Sequence, residues 1–170
     1  MEKIAAYLKD AFAGKHRYVV KMIEYQRRGL PQTRKAIALE NPPTTPEEID
    51  SFISCELPEE EGPLREHVLQ HMVHRCNHSC RPQDPQQDCI KGCPWTFAET
   101  TSFDERGYPH HRRRPCGGHC PNCSSGGAVY GGRAVCLNWL VVEYNAKILL
   151  LWDGHANIRF AGCVELFEYL

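Results

Sequence analysis

Ten cysteines stand in 170 residues, and seven of them fall between Cys76 and Cys123. At roughly 6% this is below the density of a disulfide scaffold, and closely spaced thiols are then metal ligands more often than disulfides. The first group reads Cys76-x3-Cys80-x8-Cys89-x3-Cys93 and is preceded by His71 and His74. Zinc takes four soft or borderline ligands in a tetrahedron, which two close pairs on a short loop supply with little chain strain. Its ligands are expected to be four of Cys76, Cys80, Cys89, Cys93 and His74, with His74 able to replace Cys76 or Cys80. The second group is Cys116-x3-Cys120-x2-Cys123, with His119 inside it and Cys136 beyond. Four of these five are expected to hold a second ion. Both would be closed structural sites for one or two Zn2+, without the open position that zinc catalysis needs. The competing reading is a flexible insertion with reactive thiols. Cys55 and Cys163 read as small buried apolar residues.

Basic side chains form two groups. Tyr108-Pro109-His110-His111-Arg112-Arg113-Arg114 sets three guanidinium groups beside residues able to stack on a base. That pattern suits a phosphate backbone and equally suits a solvated charge run. Arg27, Arg28, Arg34 and Lys35 gather around a turn at Arg28-Gly29-Leu30-Pro31. No Gly-rich phosphate loop and no Ser-His-Asp arrangement stands out.

The elements that must position these groups follow from periodicity. Ile4, Tyr7, Leu8, Ala11 and Phe12 keep helical spacing, and Gly14 stops the helix. Residues 18–25 (YVVKMIEY) and 35–40 (KAIALE) read as the two strands of a hairpin. Thr45-Pro46-Glu47-Glu48 is a capping box with proline at the first helical position, and Ile49, Phe52 and Ile53 follow as a buried face. Leu64, Val68, Leu69, Met72 and Val73 predict a further helix. From Arg75 to about Gly132 periodicity vanishes, and so long a loop needs something other than an apolar core to order it. Residues 139–144, 147–152 and 155–160 read as strands, and an apolar stretch from Val164 to Leu170 begins a last helix. The expected class is α+β: an antiparallel sheet with flanking helices, interrupted by an irregular zinc-stabilised insertion. Residues 1–74 and 137–170 would form the α+β domain and 75–136 the insertion.

Composition narrows the functions. With 42% hydrophobic and 24% charged residues the chain can bury a core, which excludes wholesale disorder. Twenty basic against twenty-one acidic residues leave no global field to draw it to nucleic acid or membrane, so any polyanion site must be local. No apolar run approaches a membrane span, and the charged opening MEKIAAYLKDAFAG does not read as a secretory signal. An intracellular protein, nuclear or cytoplasmic, is expected.

From Ile23-Glu24-Tyr25-Gln26-Arg27-Arg28-Gly29-Leu30-Pro31 onward the sequence resembles the Rep-type replication-initiator region of Helitron transposases, the Helitron helicase-like domain. Thr45-Pro46-Glu47-Glu48-Ile49-Asp50, Phe52-Ile53-Ser54-Cys55-Glu56-Leu57-Pro58 and Met72-Val73-His74 continue the resemblance in order. So do Gly107-Tyr108-Pro109, Arg112-Arg113-Arg114, Val141-Val142-Glu143-Tyr144-Asn145 and His155-Ala156-Asn157-Ile158. The Cys116–Cys123 patch looks like an insertion relative to the family. The resemblance implies a Rep-like (HUH) fold in which two histidines, one residue apart on a strand, hold a divalent ion. A tyrosine then attacks the DNA phosphate.

Here those positions are Gln32, a feeble ligand, and Arg34, which stays protonated and cannot ligate. Tyr169 matches the family's first tyrosine, and the tyrosine helix would be cut short after it. The implied function is a transposon-derived, catalytically inactive Rep-like domain that binds nucleic acid, chiefly single-stranded DNA. The alternatives are a zinc-stabilised protein-interaction scaffold and a tyrosine nickase with Glu24, Gln32 and His155 around manganese.

Overall fold

A computed structural model describes residues 2–11, 16–25, 31–75, 80, 89–121, 123, 129–130, 133–134 and 136–160. Short helices and small antiparallel strand pairs alternate along it, an α+β arrangement. The turn carrying Arg27 and Arg28, Cys76, Cys163, Tyr169 and the apolar stretch from Val164 lie outside the described residues.

The amphipathic stripe at the start forms helix α1 (Glu2–Ala11). Strands β1 (His16–Tyr25) and β2 (Pro31–Leu39) make the expected hairpin, in a register that sets Lys21 opposite Lys35 and Met22 opposite Arg34. Because side chains alternate along a strand, one face carries Val19, Lys21, Ile23, Thr33, Lys35 and Ile37, and the other carries Val20, Met22, Arg34 and Ala36. Ala36 is buried while Val19 and Ile23 are half-exposed, so the Ala36 face is the shielded one.

Helix α2 (Pro46–Phe52) starts at the expected capping box. The Glu48 amide donates to the Thr45 hydroxyl at 3.3 Å, and the Thr45 amide donates to the Glu48 carboxylate at 3.2 Å. The Thr44 amide, at 2.7 Å from the same carboxylate, and then the Thr45 amide hold the Glu48 carboxyl below its usual range. Helix α3 (Pro63–His67) runs directly into a π turn (Val68–Met72). Arg65, Val68 and Met72 lie along its buried side.

The strands expected after Cys136 are not what forms. A 3-10 turn (Leu137–Trp139) is followed by an extended stretch that makes single bridges, Val141 to Val73 and Tyr144 to Ser54, and joins no sheet among the described residues. Residues 147–152 belong to helix α4 (Ala146–Trp152), and 155–160 take no regular structure. The reason is local. The Asn145 side chain accepts the Ile148 amide at 2.9 Å and caps a helix, and the Ile-Leu-Leu-Leu run has no alternation to commit it to a strand. Ile148 and Leu149 bury their side chains on one side of α4, which packs against α1 and α3. Four further two-residue strands form two antiparallel pairs: β3 (Ser102–Phe103) with β4 (Pro109–His110), and β5 (Val129–Tyr130) with β6 (Arg133–Ala134). Every sheet among the described residues is thus two-stranded.

The core is built by Leu57, Val68, Met72, Leu140, Val141, Tyr144 and Leu149, with Cys80, Cys89, Cys93 and Cys120 packed among them. At its centre lies a charge. The Arg113 guanidinium, 4% exposed, donates to the carbonyls of Cys55 (3.2 Å), Val141 (2.7 Å) and Asn138, and stacks 4.9 Å from the centre of the Trp95 ring. Desolvation lowers its pKa, yet these acceptors leave the cation in place. Asn138 extends the network, accepting the Leu57 amide at 2.8 Å and donating to the Arg114 carbonyl at 2.9 Å. Replacing Arg113 by leucine strands three carbonyls, and hydrogen bonds to a charged donor are worth about 1.5–3 kcal/mol each. Arg113→Leu is therefore expected to cost at least about 3 kcal/mol in urea unfolding, against under about 1 kcal/mol for Arg112→Leu at the surface.

Candidate metal centre

The sulfurs of Cys116, Cys120, Cys123 and Cys136 all lie within 4.8 Å of one another. Cys116 and Cys123 are 3.5 Å apart, far beyond a sulfur–sulfur bond of about 2.05 Å and close to the roughly 3.8 Å edge of a tetrahedron with 2.3 Å zinc–sulfur bonds. The chain reaches this geometry through Gly117 and Gly118, with φ of 61° and 92°, a region that side chains disfavour. The turn brings the Cys120 amide to the Cys116 sulfur at 3.4 Å, while the Leu137 amide reaches the Cys120 sulfur at 3.4 Å. Such N–H donors favour thiolate over thiol.

The electrostatics call for a cation. Burial acts to raise the Cys116 pKa, but the Cys120 amide and the neighbouring thiols outweigh it and bring it down to about 6. Cys123 and Cys136 are pushed up, by burial first and then by the sulfurs beside them. One thiolate forms readily and its neighbours resist a second. A divalent ion removes that conflict by binding all four as thiolates. The four-cysteine cluster can therefore hold a metal ion. His119 has no part in it: its ring is exposed beside Gly117, and only its backbone is engaged.

A second gathering joins His74, Cys80 and Cys89, again within 4.8 Å. The His74 Nε2 lies 3.3 Å from the Cys89 sulfur. Burial, with lesser contributions from Lys91 and His155, lowers the His74 pKa and keeps the imidazole neutral, the form that ligates. Cys89 opens a tight turn in which the Lys91 amide approaches its sulfur at 3.4 Å and the Gly92 amide its carbonyl at 2.7 Å, with Gly92 at φ 74°. Cys93 is buried in the same core, its sulfur 3.9 Å from the Trp139 carbonyl.

The arginine triplet does not form one basic surface. Arg113 points inward, which corrects the expectation that it grips phosphate. Arg114 forks onto Glu56, Nε to Oε1 at 2.9 Å and an Nη to Oε2 at 2.8 Å, and Arg112 lies 3.4 Å from Asp50 and 3.8 Å from Glu56. Tyr108 is half-buried, with its amide bonded to Asp104. On the hairpin Gln32 is exposed, and Arg34 and Lys35 are half-buried.

Arg65 is an anchor that the sequence reading missed. It donates to the Pro58 carbonyl and, at 2.7 Å, to the His119 carbonyl, and it pairs with Glu61 at 3.1 Å. This fastens the four-cysteine loop to α3. Its signal was available: Arg65 falls in helical register with Val68 and Met72, where an apolar residue belongs.

No protein-family model, no curated protein and no solved structure matches the chain. Among the described residues no helix is long and apolar enough to cross a membrane.

Cobalt substitution discriminates the ligands. Cys136→Ser is expected to weaken sulfur-to-cobalt charge-transfer absorption, whereas His119→Ala leaves it unchanged. Glu56 gives a pH test. Although burial raises its pKa, the Arg114 hydrogen bonds and charge hold it below the usual carboxylate range. Its contribution to stability is thus complete above the unfolded value near 4.5 and fades as pH falls through the lower folded value. The stability gap between the parent and Glu56→Gln is expected to be constant at neutral pH and to shrink as the pH falls below the unfolded value near 4.5, as read by urea midpoints.

Proposed function

We propose that the chain is a zinc-stabilised, catalytically inactive Rep-like domain related to Helitron transposases, and that it binds single-stranded nucleic acid on the β1–β2 hairpin. The observation that carries this reading is the more exposed hairpin face, where Lys21 stands directly opposite Lys35 among Val19, Ile23 and Ile37. Like charges directly across a strand pair destabilise it, and a polyanion laid along the ribbon offsets that cost. Aliphatic side chains beside the lysines give bases an apolar surface. Arg112 and Arg114 contribute less, since Asp50 and Glu56 already neutralise them. Arg34, at the position where the family's resemblance implies a metal-binding histidine, lies on the opposite, shielded face.

In this reading zinc at Cys116, Cys120, Cys123 and Cys136, and at His74, Cys80 and Cys89, orders the insertion and does no chemistry. Gln32 and Arg34 leave the strand without the ligand pair that a metal-dependent nickase needs.

The same hairpin face favours a second reading, a protein-interaction scaffold, because Val19 and Ile23 are each about half exposed on it. Titrating a labelled single-stranded oligonucleotide into the full chain at two salt concentrations separates the two. Weak binding that falls with salt is expected. Lys21→Ala with Lys35→Ala should flatten the salt slope by about 0.7 for each phosphate that the lysines no longer neutralise. Binding that is unchanged in the double variant contradicts the assignment to the hairpin. No salt-sensitive binding by the parent chain supports the scaffold.

A further inference from the structure

The geometry points to a third cation site, built from His67, His71 and Asp153, that takes a divalent transition-metal ion and leaves part of its coordination shell open to solvent. His67 closes α3 and His71 sits in the π turn that follows, so the i, i+4 spacing places both rings on one side, with centroids 5.9 Å apart. Asp153 caps α4 in a left-handed conformation (φ 50°, ψ 53°), which brings its carboxylate over the two rings. The His67 Nδ1 lies 3.2 Å and the His71 Nε2 3.5 Å from the same oxygen, Oδ1 of Asp153. Ligands at about 2.0–2.2 Å from a tetrahedral ion are separated by roughly 3.4 Å, so these distances fit.

Two further observations favour an ion over a simple ion pair. Both ring nitrogens are shielded from solvent, and neither completes a hydrogen bond despite the nearby carboxylate. Buried polar atoms without partners are rare, and a shared cation would satisfy both at once. The segment carrying Asp153 is also held in place independently: His155, two residues on, bonds through its Nδ1 to the His71 carbonyl at 2.8 Å. The imidazole side chains are about four-fifths buried and that of Asp153 is 75% exposed. The ion would therefore be gripped from the protein side and open on the carboxylate side. Two imidazoles with one carboxylate and open positions suit borderline divalent ions such as zinc, cobalt, nickel, iron or manganese. The site shares no residue with the sulfur clusters and none with Gln32 or Arg34.

The test uses the full chain with its cysteine sites first loaded with zinc, their content verified by native mass spectrometry. Zn2+ is then titrated calorimetrically. The parent is expected to bind one further equivalent, and His67→Gln with His71→Gln to bind none, with circular dichroism and the preloaded zinc unchanged. Asp153→Asn, which keeps size and removes charge, should weaken the added ion at least tenfold. His110→Gln, a surface histidine away from the cluster, should leave it unaltered. A parent chain that takes up no further ion overturns the proposal, as does a further equivalent that persists in the double histidine variant.

Discussion

Four sulfur atoms drawn to within 4.8 Å of one another are the constraint on which the middle of this protein depends. The segment from Arg75 to Cys136 has few apolar side chains, and burial of such a stretch must be compensated by partners other than hydrophobic contact. Thiols crowded this closely oppose one another's ionisation, a conflict that a cation turns into attraction. The left-handed turn at Gly117 and Gly118 and the amides aimed at Cys116 and Cys120 fit the shell of such an ion. Cys120 is fully buried among Leu137 and its neighbours, so the cluster also serves as part of the core.

Two arginines complete the same task from the protein side. Arg113 collects three carbonyls from two segments distant in sequence, at Cys55 and at Asn138 and Val141, and Arg65 fastens the loop at His119 to α3. Buried cations of this kind are poor sources of net stability, but they penalise arrangements in which their acceptors are elsewhere. Irregular backbone is thereby fixed without a large sheet, by guanidinium groups and sulfur clusters set into a small apolar core.

Much of this was legible in the sequence, for identifiable reasons. The capping box at Thr45 is a purely local device, and it formed as read. The hairpin followed from the β-branched and aromatic run at residues 18–25 and a segment after the Gly29-Leu30-Pro31 signal able to pair back with it. Cysteine spacing pointed to the four-sulfur cluster and to the His74, Cys80 and Cys89 group, while Cys93 stands outside that group and Cys76 lies outside the described residues. Where local propensity was ambiguous, reading failed. The Ile-Leu-Leu-Leu run is compatible with strand or helix, and the Asn145 cap together with packing on α3 decided for α4. Arg113 looked like its neighbours Arg112 and Arg114, and nothing in three consecutive arginines says which one points inward. That choice is made by carbonyls 25 to 58 residues away in sequence.

The functional account rests on the same physics. The proposed binding surface is a hairpin that sets two lysines face to face among aliphatic side chains, and Gln32 and Arg34 occupy the strand positions where the resemblance implies metal-binding histidines. In the proposed reading, zinc belongs to the framework that presents this surface. X-ray absorption at the zinc edge of the purified chain tests that claim most directly. The account predicts a first shell dominated by sulfur at about 2.3 Å with a minor nitrogen component near 2.0 Å. A shell of oxygen and nitrogen alone, or a chain that keeps its fold while holding no zinc, would contradict it.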